Sequence, residues 1–154
     1  MDLGDLLRPE AVFAGLRVKN KKQALMELAH RAASVTGLDE RTVFNTLLQR
    51  ERLGSTGVGR GIAIPHARIA GLKRIATVFA QLDEAIDFDA PDGEPVDLVF
   101  VLLAPEQAGA DHLKALARIS RVLRDPLTLE KLRAARDSVV LYSVLTEPLA
   151  SHAA

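Results

Sequence analysis

The sequence predicts an α/β fold, a single-domain sandwich in which a mixed, mostly buried β-sheet is flanked by helices. Segments 75–82 and 96–104 are rich in β-branched and other apolar residues, and the second reads VDLVFVLLA. A strand with so little polar alternation is typical of a sheet that is covered on both faces. Helical patterns precede and follow these two segments, and that arrangement favours layers of helices around a sheet.

Length and composition limit the kinds of protein that we expect. A chain of 154 residues fits one domain, residues 1–150, with residues 151–154 as a flexible tail. The 20 basic and 20 acidic side chains balance, so we expect no general attraction to nucleic acid or to an anionic membrane. Cysteine is absent, no run of 18 apolar residues occurs, and the beginning MDLGDLLRPE does not resemble a signal peptide. We therefore expect a cytoplasmic protein without membrane insertion.

Two helices are predicted in the first third of the chain. The first, at about 20–36, begins at the capping residue Asn20, with Gln23 in capping-box position, and ends at Gly37. The second begins at the capping residue Asp39 and ends at Gly54. The second helix carries Arg50 and Arg52 in its last turn. The motif PDGEP, residues 91–95, predicts a turn between the two apolar strands.

The last third of the chain is again mostly helical. From Asp111 onward, apolar and small residues recur at helical spacing, and we expect them to form one stripe: Leu113, Leu116, Ala117, Ser120 and Leu123. Asp125 and Pro126 end this helix and begin another. Segment 137–147 fits either state, because Val139, Val140 and Tyr142 favour a strand whereas a cap at Asp137 or Ser138 favours a helix. We prefer the helix.

The stretch GSTGVGRGIAIPH, residues 54–66, has the most unusual composition in the chain. Its glycines allow backbone N–H groups to approach a ligand, but it lacks the Gly-Lys-Ser/Thr ending of a phosphate-binding loop. Residues 62–64 predict a short buried strand, and Pro65 restricts the backbone on both sides of itself. His66 is thus held rigidly at a strand end, as a nucleophile or ligand requires, although a structural histidine is the alternative.

The other three histidines differ in position. His112 lies in the first turn of the helix that begins near Asp111, where free N–H groups and the helix dipole favour an anion. An ordinary histidine at the edge of the core is the alternative there. We expect His30, on the first helix, to be structural, and His152 to lie in the tail.

Two blocks carry a resemblance to a known family. RERLGSTGVGRGIAIPHAR, residues 50–68, resembles the active-site segment of the phosphotransferase-system (PTS) IIA domains of the fructose/mannitol family, and residues 96–125 resemble that family's second block. Segments 38–51 and 86–96 match the helix and the turn before these blocks. Because the chain stands alone, without a membrane segment or a fused carrier domain, it is most similar to the nitrogen-regulatory branch. The resemblance implies a mixed sheet flanked by helices.

The resemblance also implies roles for individual residues. His66 matches the histidine that accepts a phosphoryl group, on its Nε2 atom, from a phosphohistidine carrier protein of the HPr or NPr type. His112 matches a second active-site histidine that is not phosphorylated. Arg50 matches an arginine that neutralises charge, and Ser55 and Thr56 match a hydroxyl pair that contacts the phosphoryl oxygens. No cofactor and no metal are implied.

Physical chemistry explains why these residue types suit the transfer. An imidazole is largely neutral near pH 7 and can attack phosphorus without first losing a proton. Phosphoryl transfer places negative charge on the equatorial oxygens, which the fixed donors of a guanidinium match. For Arg50, simple complementarity to the helix dipole is the alternative.

Partners and alternatives complete the expectations. The branch implies regulatory protein targets, such as a sensor kinase or potassium transport components, that read the phosphorylation state. Val58, Ile69 and Leu72 are candidates for an apolar partner surface around His66, with core packing as the alternative for each. A sugar-specific IIA component that passes phosphate to a IIB domain is a second hypothesis. A zinc module built from His66, His112 and a carboxylate such as Asp111 is a third, which no metal-ligand spacing supports.

Overall fold

A computed structural model describes residues 2–148 and shows a mixed α/β domain. The predicted tail and His152 lie outside the described residues. The helices are α1 Leu3–Leu6, α2 Lys21–Thr36, α3 Glu40–Leu53, α4 Ala110–Val122, α5 Pro126–Ala134 and α6 Ser138–Thr146. A 3₁₀ turn, Pro9–Ala11, follows α1. The strands are β1 Val12–Leu16, β2 Gly57–Gly59, β3 Ile62–Ala63, β4 His66–Ile69, β5 Ala76–Ile86 and β6 Val96–Pro105.

The sheet is mixed, as predicted. Its strand order is β1-β5-β6-β3-β2, and β4 also pairs with β6. Strand β6 is antiparallel to β5 and parallel to both β3 and β4, while β1 is parallel to β5. Since β6 has partners on both edges and is buried along nearly its whole length, its sequence is almost continuously apolar.

Strand β5 is longer than its apolar run predicts. It continues to Ile86, four residues beyond the predicted end, and its extension includes the exposed Asp83 and Glu84. Polar residues in this extension hide the strand from a pattern that is based on apolar content. The buried part of the hairpin is fixed by Phe79 and Phe100, which lie opposite each other with ring centroids 5.8 Å apart.

The predicted boundaries of α2 and α3 are confirmed. The Asn20 side chain accepts from the Gln23 backbone N–H at 2.8 Å, and Gly37 ends α2 with a φ of 77°. The Gln23 side chain accepts from the backbone N–H of Lys19, at 2.7 Å, rather than from that of Asn20. At α3, the Asp39 carboxylate accepts from the Thr42 N–H at 3.0 Å.

The stripe predicted for α4 is only partly correct: Leu123 is buried and Leu116 packs against the core, but Leu113 and Ala117 are exposed. The buried residues of this helix are His112, Ala115, Ile119 and Val122. Leu113, which the prediction placed on the buried face, is 64% exposed. The prediction followed apolar residue types, whereas the helix gives a core position to a histidine and leaves the neighbouring leucine in solvent.

The ambiguous C-terminal segment is helical. The Asp137 carboxylate accepts from the Val140 N–H at 2.9 Å and begins α6, which buries Leu141, Val144 and Leu145. The cap therefore outweighs the β-propensity of the valines, of which Val139 is exposed. Across residues 2–148, none of the helices combines the length and apolar character needed to cross a bilayer.

Candidate functional site

The chain before and after Pro65 forms two short strands against the same partner. Strands β3 and β4 are both parallel to β6, and between them the Pro65 carbonyl accepts from the Leu102 N–H at 2.9 Å. Proline has no N–H of its own to donate, so the pairing is interrupted there without an unsatisfied donor. His66 is thus the first residue of β4, and the chain before and after it pairs with the buried central strand β6.

The ring of His66 has a fixed orientation. Its Nδ1 atom lies 2.6 Å from the carbonyl oxygen of Ile64, two residues earlier. A carbonyl oxygen only accepts, so Nδ1 carries the proton and, in the neutral ring, Nε2 holds the free lone pair. The side chain is half-buried, so part of it is exposed to solvent.

His112 lies beside this ring, as predicted. The ring centroids of His66 and His112 are 5.9 Å apart, with the planes at 57°. Burial lowers the pKa of His112 from its usual value of about 6.5, and the charges of His66 and Arg68 lower it further. The second ring is therefore neutral at physiological pH. Within residues 2–148, its buried Nδ1 atom has no hydrogen-bond partner.

The tautomer of His112 follows from that unpartnered atom. Buried N–H groups without an acceptor are rarer than acceptors without a donor, so the proton belongs on Nε2 rather than on Nδ1. The site therefore combines a ring with a free Nε2 lone pair, at His66, and a neutral ring that can donate from Nε2, at His112. This pair suits the attack on an electrophile that becomes negatively charged.

Comparison with known proteins agrees with this geometry. The model of the family described as "Phosphoenolpyruvate-dependent sugar phosphotransferase system, EIIA 2" matches residues 5–147. The chain belongs to this EIIA-2 family. It is 59% identical to a nitrogen regulatory protein of Bradyrhizobium diazoefficiens over 153 residues, which cover 99% of this chain and 100% of that protein.

Solved structures support the same assignment of the EIIA-2 fold. The crystal structure of nitrogen regulatory protein IIA-Ntr from Neisseria meningitidis matches with a TM-score of 0.88 and 35% identity, covering 94% of this chain and 99% of that one. IIA mannitol from Escherichia coli matches with a TM-score of 0.76 and 22% identity, covering 90% and 98%. The second likeness shows the fold alone.

Arg50 and Ser55 of this EIIA-2 domain hold the glycine-rich loop, residues 54–61. Arg50 donates from Nη1 to the Gly54 carbonyl at 2.9 Å, at the end of its own helix. The Ser55 hydroxyl donates to the Phe88 carbonyl at 2.6 Å and accepts from the Gly57 N–H at 3.0 Å. Their predicted roles at a phosphoryl group stay predictions, and the contacts described here add a structural role for each.

Thr56 is likewise part of the scaffold. It is 4% exposed, its hydroxyl donates to the carboxylate of Glu51, and its backbone N–H lies 3.2 Å from both oxygens of that carboxylate. The hydroxyl proton is therefore already used inside the protein. A phosphoryl contact through Thr56 stays a prediction, and it would require this hydrogen bond to rearrange.

Arg68 is a candidate site residue that the sequence analysis missed. It lies two residues after His66 on β4 and donates from Nη1 to the Glu106 carbonyl, at 3.1 Å, on the segment that leads into α4. Its charge also reaches His112, whose pKa it lowers. Residues i and i+2 of a strand share a face, so the alternation within β4 was the signal that could have found it.

The three residues predicted for an apolar partner surface differ in exposure. Val58 is 56% exposed and can meet a partner. Ile69, in contrast, is 2% exposed and belongs to the core, because it points to the opposite face of β4 from His66. Leu72 is half-buried and packs against the core. Leu113, next to His112, supplies an exposed apolar side chain that was not expected in this role.

The remaining expectations concern His30 and metal binding. His30 is exposed, and its Nδ1 atom lies 2.7 Å from a carboxylate oxygen of Glu40. It therefore pairs with a surface carboxylate and not with His66 or His112. In the part of the chain that the structure describes, no three His, Cys, Asp or Glu side chains come close enough together to hold a metal ion.

Proposed function

We propose that this EIIA-2 protein is a phosphocarrier that accepts a phosphoryl group on Nε2 of His66 from an HPr-like phosphohistidine protein, NPr, and acts as a regulator. The observation that carries the proposal is the orientation of His66. Its Nδ1–H group is held by the Ile64 carbonyl, which directs an unprotonated Nε2 away from the backbone and beside His112. The likeness to nitrogen regulatory proteins supports the regulatory part.

The transfer needs no base at His66. The Nε2 lone pair attacks the phosphorus of the donor's phosphohistidine, a new N–P bond forms, and the donor's N–P bond breaks with its electron pair returning to the donor imidazole. The proton on Nδ1 of His66 stays in its hydrogen bond to Ile64 throughout. The role of the protein is then to position the ring and to stabilise the transferring group.

Neighbouring donors stabilise the negative charge. His112 donates from Nε2 as a neutral ring, so it adds a hydrogen bond without requiring a buried cation. Arg68, on the same face of β4 as His66, supplies a guanidinium, and Arg50 at the end of α3 is a second candidate. Ser55 and Thr56 are further candidates for phosphoryl contacts, for which their hydroxyls must give up the hydrogen bonds to Phe88 and Glu51.

Val58 and Leu113, both exposed, supply the apolar contacts of a transient partner surface. A phosphoryl group on His66 adds about two negative charges to it, which recruits or repels a partner without refolding the domain. The targets proposed are regulatory proteins such as a sensor kinase or potassium transport components, met in the cytoplasm. Passing phosphate to a IIB domain is the second candidate, because the family description names a sugar phosphotransferase system.

Incubation with phosphorylated NPr and, separately, with phosphorylated HPr tests the proposal. Mass spectrometry should find one acid-labile phosphate on the wild-type protein and none on His66→Ala. His30→Ala is the matched control, because it removes an exposed imidazole that pairs with Glu40, and it should be phosphorylated like the wild type. The proposal fails if neither carrier transfers phosphate or if His66→Ala retains it.

The same phosphorylated protein separates the two candidate roles. A regulatory role predicts that the phosphorylated and unphosphorylated forms retain different proteins on an affinity column. A sugar-specific role predicts rapid loss of the phosphate to an isolated IIB domain. Rapid transfer to IIB together with identical binding of both forms would overturn the regulatory proposal.

A further inference from the structure

A series of hydrogen bonds through Thr56 and Ile64 connects the ion pair of Lys21 and the buried Glu51 to the ring of His66. The Lys21 ammonium lies 2.8 Å from the Glu51 carboxylate, which in turn accepts from the hydroxyl and the N–H of Thr56. The Thr56 carbonyl accepts from the Ile64 N–H at 2.9 Å, and the Ile64 carbonyl accepts from Nδ1 of His66 at 2.6 Å. The series crosses from α2 through α3 and the glycine-rich loop to β4.

Glu51 is the least expected member of this series. Its side chain is only 3% exposed, although it lies in the last turn of α3, where the helix dipole disfavours an acid. A buried carboxylate is costly unless it is paired and hydrogen-bonded. Glu51 meets both conditions, because Lys21 pairs with its charge and Thr56 donates hydrogen bonds to it. The buried carboxylate therefore holds both partners in fixed orientations.

We propose that Glu51 is a positioning residue for His66, an inference that rests on the proposed function of that histidine. By binding both donors of Thr56, the carboxylate fixes the Thr56 peptide and hence its carbonyl. That carbonyl holds the Ile64 N–H, and Ile64 presents the acceptor that selects the Nδ1–H tautomer of His66. Glu51 thus acts on His66 through Thr56 and Ile64 and is not itself a catalytic group.

The loop has other anchors, so loss of the Glu51 charge need not unfold it. Ser55 donates to the Phe88 carbonyl, and Arg133 donates to the Arg60 carbonyl at 2.6 Å and to Asp97. These contacts hold both ends of the loop without Glu51. The specific consequence of changing Glu51 is therefore a looser Thr56 peptide and a His66 ring with mixed tautomers.

Glu51→Gln is the central test, with Glu40→Gln as the matched control on the same helix, since Glu40 is exposed and pairs with His30. We expect Glu51→Gln to lower the rate constant of phosphorylation by NPr about tenfold or more, the scale of losing a residue that orients a reactive group. The carrier concentration at half-saturation should stay unchanged, because Glu51 is buried. The ¹⁵N chemical shifts of His66 should move from one tautomer toward a mixture. Glu40→Gln should change none of these.

Thr56→Val and Thr56→Ser test the same series without altering the buried charge. Valine removes the hydroxyl donor and should shift the His66 tautomer less than Glu51→Gln does, whereas serine keeps the donor and should preserve the wild-type ¹⁵N shifts of His66. This pair decides the question if Glu51→Gln does not fold. The inference is overturned if the folded variants lose thermal stability but keep the wild-type His66 shifts, or if the rate falls while those shifts stay unchanged.

Failure of the inference and failure of the proposed function are distinguishable. If the wild-type protein accepts no phosphate from NPr or HPr, the proposed function fails. The His66 shifts of the unphosphorylated variants still report whether Glu51 controls the tautomer. If the wild type is phosphorylated and the shifts do not respond, only the positioning role fails.

Discussion

The two histidines of the site have different roles because their surroundings differ, although their side chains are the same. His66 and His112 are both imidazoles, but a backbone carbonyl holds Nδ1 of the first, while burial leaves Nδ1 of the second unpartnered among the described residues. The first ring is thereby prepared as a nucleophile and the second as a neutral donor. One residue type thus supplies two roles.

Arg68→Gln is predicted to slow phosphorylation more than Arg50→Gln does. Arg68 shares the strand face of His66 and influences His112, whereas Arg50 binds the Gly54 carbonyl of its own helix end. Loss of a preorganised donor to the transferring group should lower the rate constant roughly a hundredfold. Rapid-quench measurement of phosphate transfer from the carrier would give both rate constants.

Arg52→Gln is the control for this comparison, because Arg52 is exposed in the same last turn of α3 as Arg50. Arg50→Gln should also lower the free energy of unfolding by about 1 kcal/mol, the typical value of one hydrogen bond. A wild-type transfer rate in Arg68→Gln would show that another group neutralises the phosphoryl charge.

At the scale of elements, the site depends on a strand that is interrupted rather than continuous. Strands β3 and β4 follow the same edge of β6, to which the Pro65 carbonyl also bonds. The Ile64 N–H bonds to Thr56 on the other side, and the Ile64 carbonyl binds the His66 ring instead of a strand. A regular strand in this place would use that carbonyl in the ladder. Pro65 thus contributes rigidity, and the Ile64 carbonyl contributes the acceptor.

Gly61→Ala is predicted to destabilise the turn between β2 and β3 more than Gly71→Ala destabilises its own loop. The two glycines have similar φ values, 79° and 87°, so the conformational cost of alanine is alike. A Cβ at Gly61 would lie 2.5 Å from the Arg133 guanidinium and 2.9 Å from Asp97, whereas Gly71 has open space. Urea unfolding should show an additional loss of about 1–3 kcal/mol for Gly61→Ala.

Equal losses for the two glycine variants would mean that the Arg133 and Asp97 pair moves aside without cost. The comparison therefore separates steric contact from backbone preference. It also reports how firmly the end of the glycine-rich loop is held, since Arg133 donates to the Arg60 carbonyl there.

For the whole molecule, His112 should make stability depend on pH. Its folded-state pKa lies below the usual value of about 6.5, so as pH falls through that value the unfolded chain binds a proton that the folded chain does not. The free energy of unfolding should therefore decrease below about pH 6.5 and stop decreasing below the folded pKa. Above about pH 7.5 this histidine contributes no pH dependence.

Urea unfolding of the wild type and of His112→Gln across this pH range would measure that contribution. The wild type should lose more stability on acidification than the variant, because glutamine does not titrate. His30→Gln controls for removal of an exposed imidazole. Parallel pH curves for the wild type and His112→Gln would contradict the prediction.

Much of the fold could be predicted because its signals are local. Caps at Asn20, Asp39 and Asp137 and the apolar run of β6 define helices and a strand within a few residues of chain. Strand β1, Val12–Leu16, was not predicted, and the end of β5 was missed, since their pairing depends on distant partners. The stripe of α4 was misassigned in part, because a histidine occupies a core position and the neighbouring Leu113 is exposed.

The sequence by itself determined the layered α/β class and the helix ends, because caps, glycines, proline and apolar runs act over neighbouring residues. Its resemblance to a known family singled out the two blocks that contain His66 and His112. Only the tertiary structure decided which groups surround those histidines. Arg68 belongs beside them, Ile69 belongs to the core, and Glu51 is connected to His66 through the loop. These relations depend on sheet pairing and burial, which local sequence does not fix, although the alternation of β4 is a local signal for Arg68.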